Sequence, residues 1–176
     1  LAMGRAEDAN TVLKRSSLSS PEMDVLRVLV PAMRAQPAEA KRALSAAVET
    51  YDDSRLWNRL GSLWAAEGEF SRAAQAYVRA EKAGQGPGLL HNNLGLLALQ
   101  RHDLKLAAHH LGEAVERAPA VTKFDNNRRL VLLLSGEYLE ALDGMDEARR
   151  LRLAADAARI AYRRGDEAYA SFLRGA

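Results

Sequence analysis

The chain has 176 residues, which is enough to bury a core as one domain or as an array of small repeats. Its 25 Lys and Arg residues are interspersed with 23 Asp and Glu residues, which excludes the one-sided positive field that nucleic acid or an anionic membrane requires. Cysteine is absent, which excludes a disulfide framework and a thiolate metal site.

The first twenty residues contain no clear structural element. The opening Leu-Ala-Met-Gly resembles a remnant of an expression vector, so a natural signal or anchor ahead of it is compatible with the sequence. Residues 11–20 are rich in serine and are expected to be mobile. Residues 1–20 are therefore predicted to be a flexible N-terminal tail or a vector remnant.

From residue 21 onward the composition is typical of an all-helical protein, because Ala, Leu, Arg and Glu dominate and β-branched runs are rare. Ser20 is expected to cap the first helix and Pro21 to occupy its first position. Further breaks recur at short intervals, which leaves helices of about a dozen residues arranged as successive hairpins. These breaks are Gln36-Pro37, Asp52-Asp53-Ser54, Gly68, residues 84–88, Pro119, Gly136 and Gly165.

A period of 34 residues runs through the middle of the chain. Leu60-Gly61 recurs as Leu94-Gly95, and Gly68 recurs at twice the period as Gly136. Alanine recurs at two further positions of the period, and an aromatic residue recurs at a third. These matches are Ala73, Ala107 and Ala141; Ala80, Ala114 and Ala148; and Phe70 with Tyr138. The period predicts a repeat array of helix pairs.

This pattern resembles the tetratricopeptide repeat, in which W-x2-L-G-x2-Y is followed by A-x3-F and then by A and P. The resemblance is closest over 57–80 and weakest from residue 122, where Arg128-Arg129 replace the Leu-Gly pair. It implies an all-α solenoid of antiparallel helix pairs that forms a right-handed superhelix. The matching residues of the first copy are Trp57, Leu60, Gly61, Trp64, Gly68, Phe70, Ala73, Tyr77 and Ala80.

The breaks and the repeat together predict five helical segments after the tail. They are a degenerate N-terminal hairpin at 21–53, three tetratricopeptide repeats at 54–87, 88–121 and 122–150, and a shortened C-terminal hairpin at 151–176.

Packing explains the repeated residues. Gly61 and Gly95 are expected to let the two helices of a hairpin approach closely, and Gly68 to end a helix in the left-handed conformation. Because each repeat buries its apolar face only against its neighbours, none of the motif residues is assigned to catalysis.

No arrangement of residues indicates catalysis or metal binding. The histidines at 91, 102, 109 and 110 form no i, i+4 pair with a carboxylate, and His102 is expected in a turn between helices. Residues 84–88 lack the preceding strand and the following lysine and hydroxyl of a phosphate loop. No Ser/His/Asp order stands out. We therefore expect no enzyme, no metal and no cofactor.

The largest charge feature is a cluster of arginines near the C-terminus that is interleaved with acidic residues. A solvated, ion-paired helix face is the expected interpretation, and a docking patch for an acidic partner is the alternative. The arginines are Arg149, Arg150, Arg152, Arg159, Arg163 and Arg164.

The most informative functional feature is an asparagine ladder, in which Asn58, Asn92 and Asn126 recur every 34 residues. Asn93 and Asn127 stand beside the last two. The family resemblance implies that the ladder faces a ligand in the concave groove, where an amide offers both a donor and an acceptor to a peptide backbone. The alternative is that these amides form hydrogen bonds between adjacent repeats.

The same resemblance implies further groove residues, and the middle of this groove is apolar. The subgroup that clamps a C-terminal carboxylate has lysine where Asn58 stands and asparagine where Ser62 stands, so a chaperone-tail receptor is disfavoured. A bound amphipathic helix or an extended segment with apolar anchors is expected. The further groove residues are Arg55, Ser62, Leu89, Leu96, Leu99, Gln100, Lys123, Leu130, Leu133 and Leu134.

The expected function is protein-protein binding as a scaffold or assembly factor. The "NNLGLLAL" helix at 92–99 and the end at 155–170 resemble the tetratricopeptide component of bacterial Flp/Tad pilus assembly systems. That resemblance implies a lipoprotein at the periplasmic face of the outer membrane, which helps the pilus secretin assemble and touches the membrane only through an anchor missing from this sequence. The alternatives are a cytoplasmic adaptor or chaperone for an aggregation-prone subunit, and a homo-oligomer packed through the groove or through Phe172-Leu173.

Overall fold

A computed structural model of the chain describes Ala9, residues 11–16 and residues 20–175, and this described part contains helices and no strand. The predicted all-α fold of antiparallel helix pairs is confirmed. The chain forms two compact units, Leu1–Gly86 and Pro87–Ala176. Much of the predicted tail lies outside the described residues, but residues 11–15 are helical and Leu13 is buried.

Residues 21–82 of the first unit form two helical hairpins. Ser20 caps the first helix by accepting a hydrogen bond from the Met23 N–H at 3.3 Å, and Pro21 takes its first position, as predicted. The core lies where successive helices pack, and Leu44, Leu56 and Leu60 are fully enclosed in it. The helices are α1 (Pro21–Ala32), α2 (Pro37–Val48), α3 (Ser54–Ala66) and α4 (Phe70–Lys82).

Two glycines set the spacing inside the hairpins, as the sequence predicted. A Cβ atom added at Gly61 would lie 2.7 Å from the Tyr77 ring on the opposite helix, and one added at Gly95 would lie 2.6 Å from Leu111 Cγ. Real Cβ atoms do not approach other atoms this closely, so only glycine permits these helix contacts.

The second unit contains six helices around a core that includes the fully buried Leu111, Val131 and Leu133. Helix α7 packs against α5 and α6, which precede it, and against α8 and α9, which follow it. The helices are α5 (Pro87–Gln100), α6 (Leu104–Arg117), α7 (Thr122–Leu134), α8 (Tyr138–Leu142), α9 (Glu147–Arg163) and α10 (Glu167–Gly175).

The third hairpin differs from the expected repeat. Helix α8 ends after five residues, because Gly144 adopts a left-handed conformation at φ 65° and Asp146 then caps a new helix by accepting from the Arg149 N–H at 2.8 Å. Helix α9 therefore begins at Glu147, about one turn before the predicted boundary between 122–150 and 151–176.

The turns between paired helices share one backbone conformation. Gly68 and Gly136 have φ values of 79° and 85°, and His102, which stands midway between them in the 34-residue period, has a φ of 63°. The turn positions predicted for Gly68 and His102 are confirmed. Among the described residues, His102 is the non-glycine residue that adopts this left-handed conformation.

Candidate functional site

Helices α5, α7 and α9 are the first helices of successive pairs in the second unit, and α7 packs against both of the others. The predicted ladder positions Asn92 and Asn126 lie on two of these helices. Asn92 is only 1% exposed, whereas Asn126 is exposed to solvent. The two positions therefore differ in what they can contact.

Asn92 is held by other asparagines. Its Oδ1 accepts a hydrogen bond from Asn127 Nδ2 at 2.7 Å, and its own Nδ2 donates to Asn93 Oδ1 at 3.2 Å. The side chain thus uses its buried acceptor and donor within the protein, and the first of these bonds joins α5 to α7. The arrangement at Asn92 corresponds to the second interpretation of the ladder, in which an amide bonds adjacent repeats.

A cleft of about 360 Å³ lies between α7 and α9. It presents amide groups on one side, guanidinium groups on the other, and apolar side chains between them. Amide and guanidinium groups are suited to a peptide backbone and a carboxylate, respectively. The lining residues are Asn126, Asn127, Leu130, Met145, Arg149, Arg152, Leu153 and Asp156.

The cleft carries a net positive charge. Arg149 and Arg152 are exposed and form no ion pair within the described part of the chain. The acidic lining residue, Asp156, is paired with Arg159. Of the six clustered arginines, only Arg159 has an ion pair among the residues that the structure describes, so the expected ion-paired helix face is largely absent. The two cleft arginines are available to an anionic group.

Two other predicted groove residues are placed in the first unit with local partners. Arg55 binds the carboxylate of Asp53 at 2.8 Å, and this hydrogen bond lowers the pKa of Asp53. The Ser62 hydroxyl donates to the Asn58 backbone carbonyl at 3.0 Å. Both pairs lie on or beside α3, and neither belongs to the α7–α9 cleft.

The remaining predicted groove residues divide by burial. Leu99, Leu133 and Leu134 lie in the core of the second unit, which corrects the prediction that they face the groove. Leu133 and Leu134 are buried because they belong to the core in which α7 packs against its neighbouring helices. Leu130 lines the cleft, whereas the half-buried Leu89 and Leu96 and the exposed Gln100 and Lys123 do not.

A second polar contact joins the helices of the α5–α6 hairpin. Nδ1 of His91 lies 3.1 Å from Nδ1 of His110, and the ring of His109 lies 5.3 Å from that of His110. Burial lowers the pKa of His110, and the neighbouring imidazoles lower it further. Within the described residues, no group of three or more His, Cys, Asp or Glu side chains is arranged to hold a metal ion.

The cleft arginines were not predicted as groove residues, although the sequence contained a signal for them. Arg149 and Arg152 face Asn126 because α9 starts at Glu147. The signal for that start is Asp143-Gly144 followed by Asp146, a turn and then a capping residue.

Neither the known protein-family models nor the curated proteins match this chain. Solved structures of tetratricopeptide-repeat (TPR) proteins do. YrrB, described as a TPR protein with an unusual peptide-binding site, matches with a TM-score of 0.56 at 16% identity, over 98% of this chain and 89% of its own. PilF of Pseudomonas aeruginosa matches with a TM-score of 0.65 at 20% identity, over 98% of this chain and 82% of its own. The chain therefore has the tetratricopeptide-repeat fold.

The described helices are too short or too polar to span a membrane. Within residues 20–175 and the short described stretches before them, none combines the length and the apolar character needed to cross a bilayer.

Proposed function

We propose that this protein is a non-catalytic scaffold that binds an extended segment of another protein in the α7–α9 cleft. The observation that carries the proposal is the set of groups that converge there: the exposed amide of Asn126, the apolar side chain of Leu130 and the exposed guanidiniums of Arg149 and Arg152. The amide would bind the backbone of the segment, and the arginines would bind an acidic side chain within it.

The similarity in fold to YrrB, which is described as having a peptide-binding site, supports this class of ligand. The cleft is small enough to hold a few side chains and is open along α7 and α9. An extended segment with one apolar anchor at Leu130 and Leu153 fits this geometry better than a folded domain. The chain would then act by holding a partner in place.

The biological setting that we propose is assembly of a bacterial pilus or secretion machine of the Flp/Tad type. The similarity in fold to PilF of Pseudomonas aeruginosa and the resemblance of 92–99 and 155–170 to the Tad component support it. In that setting the protein would lie at the periplasmic face of the outer membrane and assist the secretin. A cytoplasmic adaptor for an aggregation-prone subunit would use the same cleft and is the alternative.

The test is quantitative retention of partners from a bacterial extract on the immobilised chain. The variant Asn126→Ala/Arg149→Ala/Arg152→Ala removes the cleft groups, and Arg163→Ala/Arg164→Ala removes two exposed or half-buried charges outside the cleft. We expect the first variant to lose a partner that the second retains, with both remaining helical. A secretin or pilus component among the retained proteins supports the assembly function, whereas equal retention by both variants contradicts the cleft as the site.

A further inference from the structure

Helix α8 is much shorter than the helices at the equivalent position of the other hairpins. It has 5 residues, whereas α4 has 13 and α6 has 14. The difference from α4 is 8 residues (13 minus 5), or about two helical turns. In a repeat array each helix covers the apolar faces of its neighbours, so shortening one helix leaves apolar side chains uncovered.

Those uncovered side chains line a second cleft in the same unit. Its volume is about 300 Å³, and its lining is largely apolar. Leu151 on α9 is 58% exposed and Phe172 on α10 is 55% exposed, which is unusual for two large apolar residues beside one cavity. We call this the α8 cleft; it shares no lining residue with the α7–α9 cleft and is formed by Leu133, Tyr138, Leu142, Arg150, Leu151, Ala154, Phe172 and Leu173.

A hydrogen bond and two ring contacts fix the aromatic wall of the α8 cleft. The Tyr169 hydroxyl donates a hydrogen bond to the Leu133 backbone carbonyl, which fastens α10 to α7. The ring of Phe172 stacks on that of Tyr169 at a centroid distance of 6.1 Å and meets the ring of Tyr138 edge-on at 5.7 Å. The cleft is thus preformed, so a ligand would enter without first ordering its wall.

The charge at the rim of the α8 cleft is positive. Arg150 lines the cleft and forms no ion pair with any residue that the structure describes. A ligand with apolar side chains in the cleft would therefore gain from carboxylates at its edges.

We infer that the α8 cleft binds a short amphipathic helix from another protein, with large apolar side chains on one face and Asp or Glu beside them. This helix would occupy the space left by the missing turns of α8. A second copy of the chain is a poorer occupant, because a symmetric contact between two such clefts would bring Arg150 close to Arg150. A flat membrane surface fits a concave cleft poorly.

The experiment uses two labelled 14-residue helical peptides and the full chain, with binding measured by fluorescence anisotropy. Both peptides carry Leu and Phe at positions i, i+3, i+4 and i+7, and they differ only in having Glu or Lys beside this apolar stripe. Leu151→Glu places a charge in the cleft, and Phe172→Ser is a second cleft variant. Met33→Glu is the matched control, because Met33 is equally exposed at 58% and lies in the first unit.

We expect the Glu peptide to bind the wild-type chain and to lose at least about tenfold in affinity with Leu151→Glu, while Met33→Glu leaves binding unchanged. The Lys peptide should bind several-fold more weakly, and the difference should narrow as salt is added. Peptide binding to the α8 cleft does not depend on whether the Asn126/Arg149/Arg152 triple variant loses partners from the extract. The inference and the proposed function can therefore fail separately.

Several results would overturn the inference. One is failure of the Glu peptide to bind at about millimolar concentration, and another is binding that neither cleft variant weakens. If sedimentation detects a dimer of the wild-type chain and Leu151→Glu abolishes it, the occupant is a second copy of the chain. Binding to vesicles of anionic phospholipid without binding to the Glu peptide would identify a membrane instead.

Discussion

Asn127 donates a side-chain hydrogen bond to the buried Asn92 at 2.7 Å, and this bond joins α7 to α5 across successive helix pairs. The two residues lie 35 positions apart, one more than the repeat period. The extra residue places Asn127 toward the neighbouring helix and leaves Asn126 on the solvent-exposed side of α7. Both asparagines line the α7–α9 cleft, but the Asn127 amide nitrogen donates to Asn92, whereas Asn126 is exposed to solvent.

The first prediction concerns this bond. Asn92→Ala removes a buried amide and leaves its partners without their hydrogen bonds, so we expect the free energy of unfolding to fall by about 1–3 kcal/mol. Urea unfolding followed by circular dichroism measures the change. Asn126→Ala is the control and should stay within about 0.5 kcal/mol of the wild type, because its side chain is exposed. Equal losses for the two variants would contradict a structural role for Asn92.

The second prediction concerns close packing inside the α5–α6 hairpin. In Gly95→Ala the new Cβ would meet Leu111 Cγ at 2.6 Å, and we expect a net loss of about 1–3 kcal/mol despite the better helix propensity of alanine. Gly112→Ala on α6 is the matched control, because no atom lies within 4 Å of its Cβ. It should raise stability by about 0.5–1 kcal/mol. The same urea unfolding assay measures both changes. A Gly95→Ala variant with an unchanged free energy of unfolding would show that the helices can separate at little cost.

The third prediction concerns the turn after α5. His102 has a φ of 63° at the position of the repeat where Gly68 and Gly136 stand. In this conformation a residue with a Cβ is destabilised by roughly 1–2 kcal/mol relative to glycine. Replacing it with glycine removes this strain, but part of the benefit is lost because glycine gives the unfolded chain more conformational freedom. His102→Gly should therefore stabilise the protein by about 1 kcal/mol, seen as a higher melting temperature. A lower melting temperature would mean that the imidazole makes a contact worth more than the strain.

The fourth prediction concerns pH. Burial, together with His91 and His109, lowers the pKa of His110 below its ordinary value of 6.5. The imidazole of His110 is therefore protonated more readily in the unfolded chain than in the folded one. Its contribution to folding stability is fully present above about pH 6.5 and is lost as the pH falls toward the pKa of the folded state. We expect the urea midpoint to fall between pH 7.5 and 5.5.

His110→Gln should flatten this pH profile, and His102→Gln, which lies outside the histidine pair, should leave its slope unchanged. A profile of the same slope in both variants would mean that other groups cause the loss. The range stops at pH 5.5 so that carboxylates, which titrate near pH 4, contribute little.

Much of the fold was predictable because local residues determine it. Ser20-Pro21 starts α1, Gly68 ends α3, and Gly61 and Gly95 mark the closest helix contacts. The early end of α8 was not predicted, because it depends on Gly144 and on the cap at Asp146. The 34-residue period continues through Ala141 and Ala148 and so gives no indication of this change in helix length.

The candidate site was less predictable, because the 34-residue period does not say which of two adjacent residues faces a neighbour. The ladder position Asn92 is buried, and Leu133 and Leu134 are covered because α7 packs against helices that precede it and helices that follow it. Arg149 and Arg152 line the cleft because α9 begins earlier than predicted. The burial of Asn92, Leu133 and Leu134 results from contacts between helices that a single sequence does not encode locally, whereas the start of α9 has a local signal in Gly144 and Asp146.

The most direct test of the α7–α9 cleft as the binding site is site-specific photocrosslinking in cells that produce the partner. A photoreactive phenylalanine analogue at Asn126 lies in the cleft, and the same group at Met33 lies on the surface of the first unit. We predict a defined adduct from position 126 that Arg149→Ala/Arg152→Ala weakens and Leu151→Glu leaves unchanged, with none from position 33. Adducts of equal yield from both positions, or a retained partner that never crosslinks to position 126, would contradict the account.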